Sequence, residues 1–315
     1  MKFIRPKIII SKCLEFDACR YDGQIITNKY IKELKKYIDF EPVCPEVEIG
    51  MGIPRDTIRI VELKNKQLLY QPETKKDFGK KMNAFSNTYL NNVNSIDGFI
   101  LKADSPSCGI STAKIYPKKK NVPASGRGSG FFAKNVLKKF PNHPAEEEKR
   151  LNNIFIREKF YTSIFTLADF RSVFDINTLY KYHAKHKYLF MTYNQIIMAK
   201  MGNIAANRNN DEIEKVIKKY YDYLIILLSK NPRIPTKINT IMHVLGYFKK
   251  QLNKNEKKHF LESLDSYKNR KIPLSALTNI LYSWIIRFDN KYLMNQSFFN
   301  PFPKELIEEQ KSRFE

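Results

Sequence analysis

Lys7-Ile8-Ile9-Ile10-Ser11-Lys12-Cys13 is the first apolar run of the chain. Three isoleucines in a row, with no alternation, read as a short strand buried on both faces, the kind found inside parallel sheets. Gly98-Phe99-Ile100-Leu101-Lys102 reads the same way. Thr57–Leu63 and Gln67–Tyr70 are β-like, while Asn28–Ile38, Asp77–Val93 and Phe131–Phe140 carry apolar residues at helical spacing. Strand and helix thus alternate over residues 1–140, which predicts an α/β domain with a mostly parallel sheet and flanking helices.

From about residue 141 the pattern turns helical. Pro144-Ala145-Glu146-Glu147-Glu148 is expected to start a helix, with acids in its first turn. Helix-period apolar residues recur over 150–170, 175–200, 211–229, 236–253 and 273–288, with breaks at the polar stretch Gly202–Asp211 and at Pro232–Pro235. We place the α/β domain at residues 1–165 and an all-α domain at residues 166–315.

The 315 residues carry 55 Lys+Arg against 32 Asp+Glu, a formal net charge of +23. The excess is spread along the chain: 26 basic and 14 acidic residues before position 141, 29 and 18 after it. Such a balance points to a polyanionic partner, nucleic acid first, although frequent Lys, Asn, Ile and Tyr also fit an AT-rich coding sequence. No apolar run nears membrane-spanning length, and the N-terminal apolar stretch is too short for a signal-peptide core, so a cytoplasmic protein is expected.

All four cysteines, Cys13, Cys19, Cys44 and Cys108, lie in the first 108 residues. Three of them, Cys13, Cys44 and Cys108, follow short apolar segments, in loops leaving strand ends. In open α/β sheets sites form outside the carboxyl ends of the strands, so these loops can bring thiolates together. Nearby prolines and glycines offer backbone amides to sulfur anions. The residues leave open an iron–sulfur site, a zinc site, or unrelated buried cysteines; zinc is disfavoured by the lack of a paired C-x2–4-C knuckle. The glycine-rich Gly126–Gly130 before a helix reads as a simple turn or a phosphate cradle. Tyr182-His183-Ala184-Lys185-His186-Lys187-Tyr188 and His243-Val244-Leu245-Gly246-Tyr247-Phe248-Lys249-Lys250 interleave aromatic rings with cations, a pattern for phosphates and unpaired bases. The alternative is that His183 and His243 bond within the core while the lysines are solvated.

Ser11-x-Cys13-Leu14, Cys19-Arg20-Tyr21-Asp22-Gly23, Val43-Cys44-Pro45-Glu46, Pro54-Arg55 and Leu101-Lys102-x-x-Ser105-Pro106-Ser107-Cys108-Gly109 occur in that order. Together they resemble the bacterial thiouracil desulfidase family, formerly domain of unknown function 523, over roughly residues 5–140. His183-x-x-His186-Lys187-Tyr188-Leu189-Phe190-Met191, the stretch His243–Lys250, and Pro301-Phe302-Pro303 resemble domain of unknown function 1722. The fused arrangement resembles two-domain desulfidases that remove sulfur from 4-thiouridine in transfer RNA.

The resemblance implies a 4Fe–4S cluster held by Cys13, Cys44 and Cys108, with one iron free. Cys19 is then a non-ligand beside the cluster and a candidate catalytic residue. The implied chemistry is non-redox: the open iron takes the substrate's sulfur and water replaces it on the ring. An acid or base is needed, with Glu41 and Glu46 as candidates flanking Cys44; Glu46 has the alternative role of holding its loop. Ser105 and Ser107 are candidates for bonds to cluster sulfides or substrate. Transfer RNA is the expected partner, with Lys185, His186, Lys187, Lys249 and Lys250 as RNA contacts; no membrane or obligate protein partner is expected. The alternatives are a desulfidase of free thiolated bases or nucleosides, and a non-catalytic iron–sulfur sensor with Cys19 as a fourth ligand.

Overall fold

The computed structural model describes residues 3–64, 66–119 and 122–307. Contacts divide these into two compact units, the first running to Ala168 and the second spanning Asp169–Lys304. The first is α/β and the second is helical throughout, as the periodicity predicts.

The first unit begins with β1 (Lys7–Ser11), α1 (Lys29–Leu34), β2 (Asp39–Val43) and the one-turn α2 (Pro45–Glu48). There follow β3 (Arg59–Leu63), β4 (Lys66–Gln71), β5 (Lys76–Asp77), α3 (Gly79–Asn91) and β6 (Gly98–Leu101). The unit continues with β7 (Ala113–Tyr116), β8 (Gly126–Gly128), α4 (Phe131–Lys139), β9 (Ala145–Glu147) and most of α5 (Ile154–Phe170). Strands β2-β1-β6-β9 form a parallel sheet. Ile8, Ile9 and Ile10 are wholly buried because β1 is internal and both of its faces are covered. The chain leaves β1 to one side for β2 and returns to its other side for β6, so the strand order reverses at β1. Ligand sites form at such a reversal, at the carboxyl ends of the strands.

A second sheet, β5-β4-β3-β7-β8, is mixed, with only β3 and β7 parallel. Between the sheets and helices lies a core that includes Ile60, Leu69, Met82, Phe99, Phe132 and Val136.

Residues 145–147 differ from expectation. They form β9, paired in parallel with β6 at Phe99↔Ala145 through Leu101↔Glu147, rather than the first turn of a helix. Local propensity favours helix in an Ala-Glu-Glu-Glu run, but ladder bonds to β6 and the partners of the Glu147 and Glu148 carboxylates, described below, override it. The helix begins later, at Ile154.

The second unit holds α6 (Ile176–Tyr193), α7 (Gln195–Ala206), α8 (Ile213–Ser229), α9 (Ile234–Gly246), α10 (Lys254–Lys268), α11 (Leu274–Arg287) and α12 (Lys291–Met294). Side-chain caps set several starts: Asp175 and Thr178 form a capping box on α6, Asn194 caps α7, and Asn253 with Glu256 boxes α10. The break expected from Gly202 comes later, since α7 runs on to Ala206 and ends at Asn207 in the left-handed conformation. Helix α10 lies outside the periodic stretches because it buries only Phe260, Leu264 and Tyr267.

No helix among the described residues is long and apolar enough to cross a membrane.

Candidate metal centre

Each of three strand ends in the parallel sheet delivers one cysteine. Cys13 stands two residues past β1, Cys44 one residue past β2, and Cys108 seven residues past β6. All three, together with Cys19, line one cavity of about 260 Å³. All four are free thiols. Ser11, Lys12, Arg20, Glu46, Arg55, Lys102 and Ser105 share its wall.

The Cys13 loop is closed by backbone bonds, Ile26 N–H to Cys13 O at 2.8 Å and Asp17 N–H to Lys12 O at 3.0 Å. Cys44 is the residue before α2, with Pro45 as the first helical residue, where its missing N–H costs nothing. Its sulfur lies 3.7 Å from the Cys19 carbonyl and 3.6 Å from Glu46 Oε2.

The Cys108 loop is the most heavily tied. Ser105 Oγ accepts from the amides of Ser107 at 3.2 Å and Cys108 at 3.0 Å. Glu147 Oε1, wholly buried, accepts from the amides of Ile110 (2.7 Å), Ser111 (3.1 Å) and Thr112 (3.3 Å), and from the Thr112 hydroxyl (2.8 Å). Glu148 takes the Ala103 amide at 2.6 Å and pairs with Lys102 Nζ at 3.1 Å. On the other side, the amides of Gly130, Phe131 and Ala133 donate to the carbonyls of Gly109, Pro106 and Ser107. A Cβ at Gly130 would lie 2.5 Å from the Ser107 carbonyl, so only glycine permits this approach. The first amides of α4 are thus spent on the cysteine loop and do not form the phosphate cradle considered for Gly126–Gly130.

Arg55 is the cation set deepest in the wall, its side chain 7% exposed. Nη1 donates to the carbonyls of Cys19 at 3.0 Å and Gly52 at 3.1 Å; Nη2 lies 3.9 Å from Cys44 Sγ and 4.0 Å from Glu46 Oε2. Lys102 Nζ donates to the Ala103 carbonyl at 2.6 Å.

Burial pushes the Cys13 thiol up to about 12, with the charges of Glu46 and Cys44 adding to it. Cys108 is held well above the ordinary range, first by burial and then by Glu46. The hydrogen bond from Cys44 lowers Cys19 and, with burial, raises Cys44 itself. Burial holds Cys13 and Cys108, and the Cys19 bond with burial holds Cys44, above the ordinary thiol range, and a bound cation would favour their thiolates. The donor set therefore fits a metal-containing group with soft ligands. Among the described residues no three His, Cys, Asp or Glu side chains converge tightly enough for one metal ion.

The structure thus gathers Cys13, Cys19, Cys44, Cys108, Glu46 and Ser105. Glu41 does not join them. It lies on β2 two residues before Val43, exposed, and its carboxylate accepts the Tyr89 hydroxyl of α3. Ser107 is buried with no partner for its hydroxyl. Arg55 and Lys102 carried no assigned role in the sequence, and Glu147 gave no signal there, because its function rests on a loop some 35 residues away.

In the helical unit Lys185 and His186 are not free for RNA. His186 is buried between Asp169 Oδ2 (2.8 Å) and Ser297 Oγ (2.7 Å), and Lys185 Nζ pairs with the same Asp169 oxygen at 2.7 Å. Helical period turns both residues toward the end of α5. His183 bonds the Tyr220 hydroxyl at 2.9 Å, whereas His243 is exposed. Lys187 is half-buried with Nζ 6.0 Å from the Tyr188 ring, and Lys249 and Lys250 are exposed on the turn after α9.

Comparisons with known proteins match the two parts of the chain separately. Residues 8–148 match the family model of 2-thiouracil desulfurase, and residues 187–303 match that of a protein of unknown function, DUF1722. The uncharacterized protein YbgA of Escherichia coli (strain K12) is 27% identical over 129 residues, 40% of this chain and 75% of that protein. A solved structure of the 4Fe-4S-dependent thiouracil desulfidase TudS aligns with 25% identity and a TM-score of 0.36, covering 47% of this chain and 94% of that one. The chain is thus similar to 2-thiouracil desulfurase over residues 8–148 and to DUF1722 over residues 187–303.

Proposed function

We propose that the first unit holds a 4Fe–4S cluster on Cys13, Cys44 and Cys108 and removes sulfur from 4-thiouridine in transfer RNA, leaving uridine. The observation that carries the reading is the convergence of three free thiols, from three strand-end loops, on one cavity. When bound, such a cluster supplies an iron without a protein ligand, a Lewis acid for the substrate's sulfur. The net reaction exchanges C=S for C=O with water in and hydrogen sulfide out, so no electrons are consumed.

The chain's own residues do the rest. Arg55 and Lys102 offset the negative charge of the thiolates within the cavity wall. Glu46, at 3.6 Å from the Cys44 sulfur, is the carboxylate placed to take a proton at Oε2 from the water that adds to the ring carbon. Ser105 holds the Cys108 amide and so orients that ligand. The helical unit, with 23 Lys and Arg against 10 Asp and Glu over residues 169–304, supplies attraction for a polyanion. A free base would need only the cavity, so this basic unit favours a polymeric substrate.

The test is anaerobic reconstitution with iron and sulfide, incubation with bulk transfer RNA, and nucleoside mass spectrometry. Loss of 4-thiouridine with equimolar uridine and sulfide is expected. Activity on free thiouracil alone would move the reading to small thiolated bases. A requirement for stoichiometric reductant would remove the hydrolytic mechanism.

A further inference from the structure

Four tyrosines gather on the surface of the helical unit. Tyr188 of α6 is the floor, 3% exposed. Its hydroxyl donates to that of Tyr247, at the end of α9, at 3.0 Å. Tyr247 and Tyr292 of α12 stack with ring centroids 6.0 Å apart and planes 23° from parallel. Both stand edge-on to Tyr188 at 6.3 and 6.4 Å. Tyr180 stands two turns before Tyr188 on α6. Although these rings are held by one another, Tyr180 is 64%, Tyr247 44% and Tyr292 40% exposed.

Cations adjoin them in sequence. Lys187 Nζ lies 6.0 Å from the Tyr188 ring centroid, Lys249 and Lys250 follow Tyr247 on an exposed turn, and Lys291 precedes Tyr292. The acid close by in sequence, Asp289, sits 4.0 Å from Lys291. Exposed rings that are already ordered bind flat partners at little entropic cost, because a tyrosine has only two side-chain torsions to fix. A partner that is flat, π-faced and anionic at regular intervals is a single strand of nucleic acid. A duplex hides its base faces and offers the rings nothing to stack on.

We propose that this tyrosine platform takes unpaired bases of RNA, with Lys187, Lys249 and Lys250 on the flanking phosphates. The proposal rests on the polymeric-substrate reading above and adds that the helical unit selects unpaired loops over helical stems.

The experiment measures fluorescence anisotropy of the full chain without iron. It uses three labelled RNAs of equal length: an oligouridylate, an abasic strand and a duplex. The wild type should bind the oligouridylate about ten-fold more tightly than the abasic strand, given ordinary base-stacking strengths. Tyr247→Ala with Tyr292→Ala should abolish that preference while leaving abasic binding and the salt slope unchanged. Tyr247→Phe with Tyr292→Phe should keep it, which excludes misfolding as the cause. Equal binding of base-bearing and abasic strands by the wild type, tighter binding of the duplex, or no effect of the alanine pair would overturn the proposal. Because iron is absent, failure here leaves desulfuration of transfer RNA standing, and failure of desulfuration leaves the platform standing.

Discussion

The guanidinium of Arg55 stands 4.0 Å from the carboxylate of Glu46, with both side chains 10% exposed or less. The same guanidinium grips the carbonyls of Cys19 and Gly52, so one side chain fixes the loop after β2, the turn bearing Cys19, and the charge beside the Cys44 sulfur. Arg55→Gln should therefore lower desulfuration by about 10–100-fold, the usual cost of losing a residue that orients metal ligands. Arg55→Lys should recover only part of it, since an ammonium cannot fork between two carbonyls and a carboxylate. Iron content measured alongside should fall less than turnover. Unchanged turnover in Arg55→Gln would refute the role.

Cys13→Ala, Cys44→Ala and Cys108→Ala should each lose reconstituted iron, whereas Cys19→Ala should retain it. The measurement is iron per chain after anaerobic gel filtration, with the visible absorption of the cluster as a second readout. Equal losses in all four variants would favour four-cysteine ligation and the sensor reading, which the nearness of Cys19 to Cys44 keeps in play.

Glu147→Ala would leave the amides of Ile110, Ser111 and Thr112 without their acceptor in a partly buried loop. An orphaned buried donor costs about 1–3 kcal/mol, and water can reach some of these amides, so a total loss of roughly 1–3 kcal/mol is expected. Glu147→Gln keeps one acceptor oxygen and should lose less. Thermal unfolding by circular dichroism checks the energies. Alkylation of Cys108, now 4% exposed, should become faster in the iron-free Glu147→Ala variant.

Acid should weaken the helical unit. Burial, then the nearby charges of Lys187 and His186, depresses His183 to about 4. Burial also lowers His186, against the opposing bond to Asp169. Both folded-state values lie below the ordinary 6.5 of an unfolded histidine. Between pH 6.5 and 4 the unfolded chain therefore binds protons that the folded chain does not. Stability is full above about 6.5 and falls as the pH drops toward 4, by about 3 kcal/mol for His183 alone. Burial works against ionisation of Asp169, yet the bonds from His186 and Lys185 hold its carboxyl below its usual range, so it adds to the loss at still lower pH. Trp284 is the chain's single tryptophan and lies buried in α11, so its fluorescence follows this unit alone. Denaturant midpoints by that signal should drop between pH 7 and 4.5, and His183→Phe should flatten the drop.

Replacing Lys249 and Lys250 by alanine should reduce the slope of log affinity against log salt for transfer RNA by roughly one to two units, if each neutralises a phosphate. Turnover of a small thiolated nucleoside should be nearly unchanged. An unchanged slope would show that both lysines face only solvent.

The parallel sheet and its site were legible because two local signals coincide. A strand buried on both faces must be apolar throughout, as Ile8–Ile10 and Phe99–Leu101 are. A thiol just beyond such a strand must lie at the sheet's carboxyl edge. Glu41 shows the limit of sequence distance as a guide. Three residues before Cys44, it lies back along β2, where each residue carries the chain about 3.3 Å further from the strand end, within reach of Tyr89 instead. The run Lys185-His186-Lys187 shows another limit. Its residues share a composition but not a direction, since helical rotation sends two toward Asp169 and the third beside Tyr188.

The sequence by itself determined the fold class of each part, the three strand-end cysteines and the basic character of both halves, because burial, spacing and net charge are properties of local residue order. The tertiary structure alone decided that Glu146 and Glu147 belong to a strand, that Glu147 secures the Cys108 loop, that Arg55 stands against Glu46, and that tyrosines from α6, α9 and α12 share one surface. Apart from the Arg55–Glu46 pair, nine residues apart, each of these depends on a partner tens of residues away. A buried carboxylate, guanidinium or amide is stable only where its hydrogen-bonding partner arrives, and that meeting is set by chain topology rather than by neighbours in sequence.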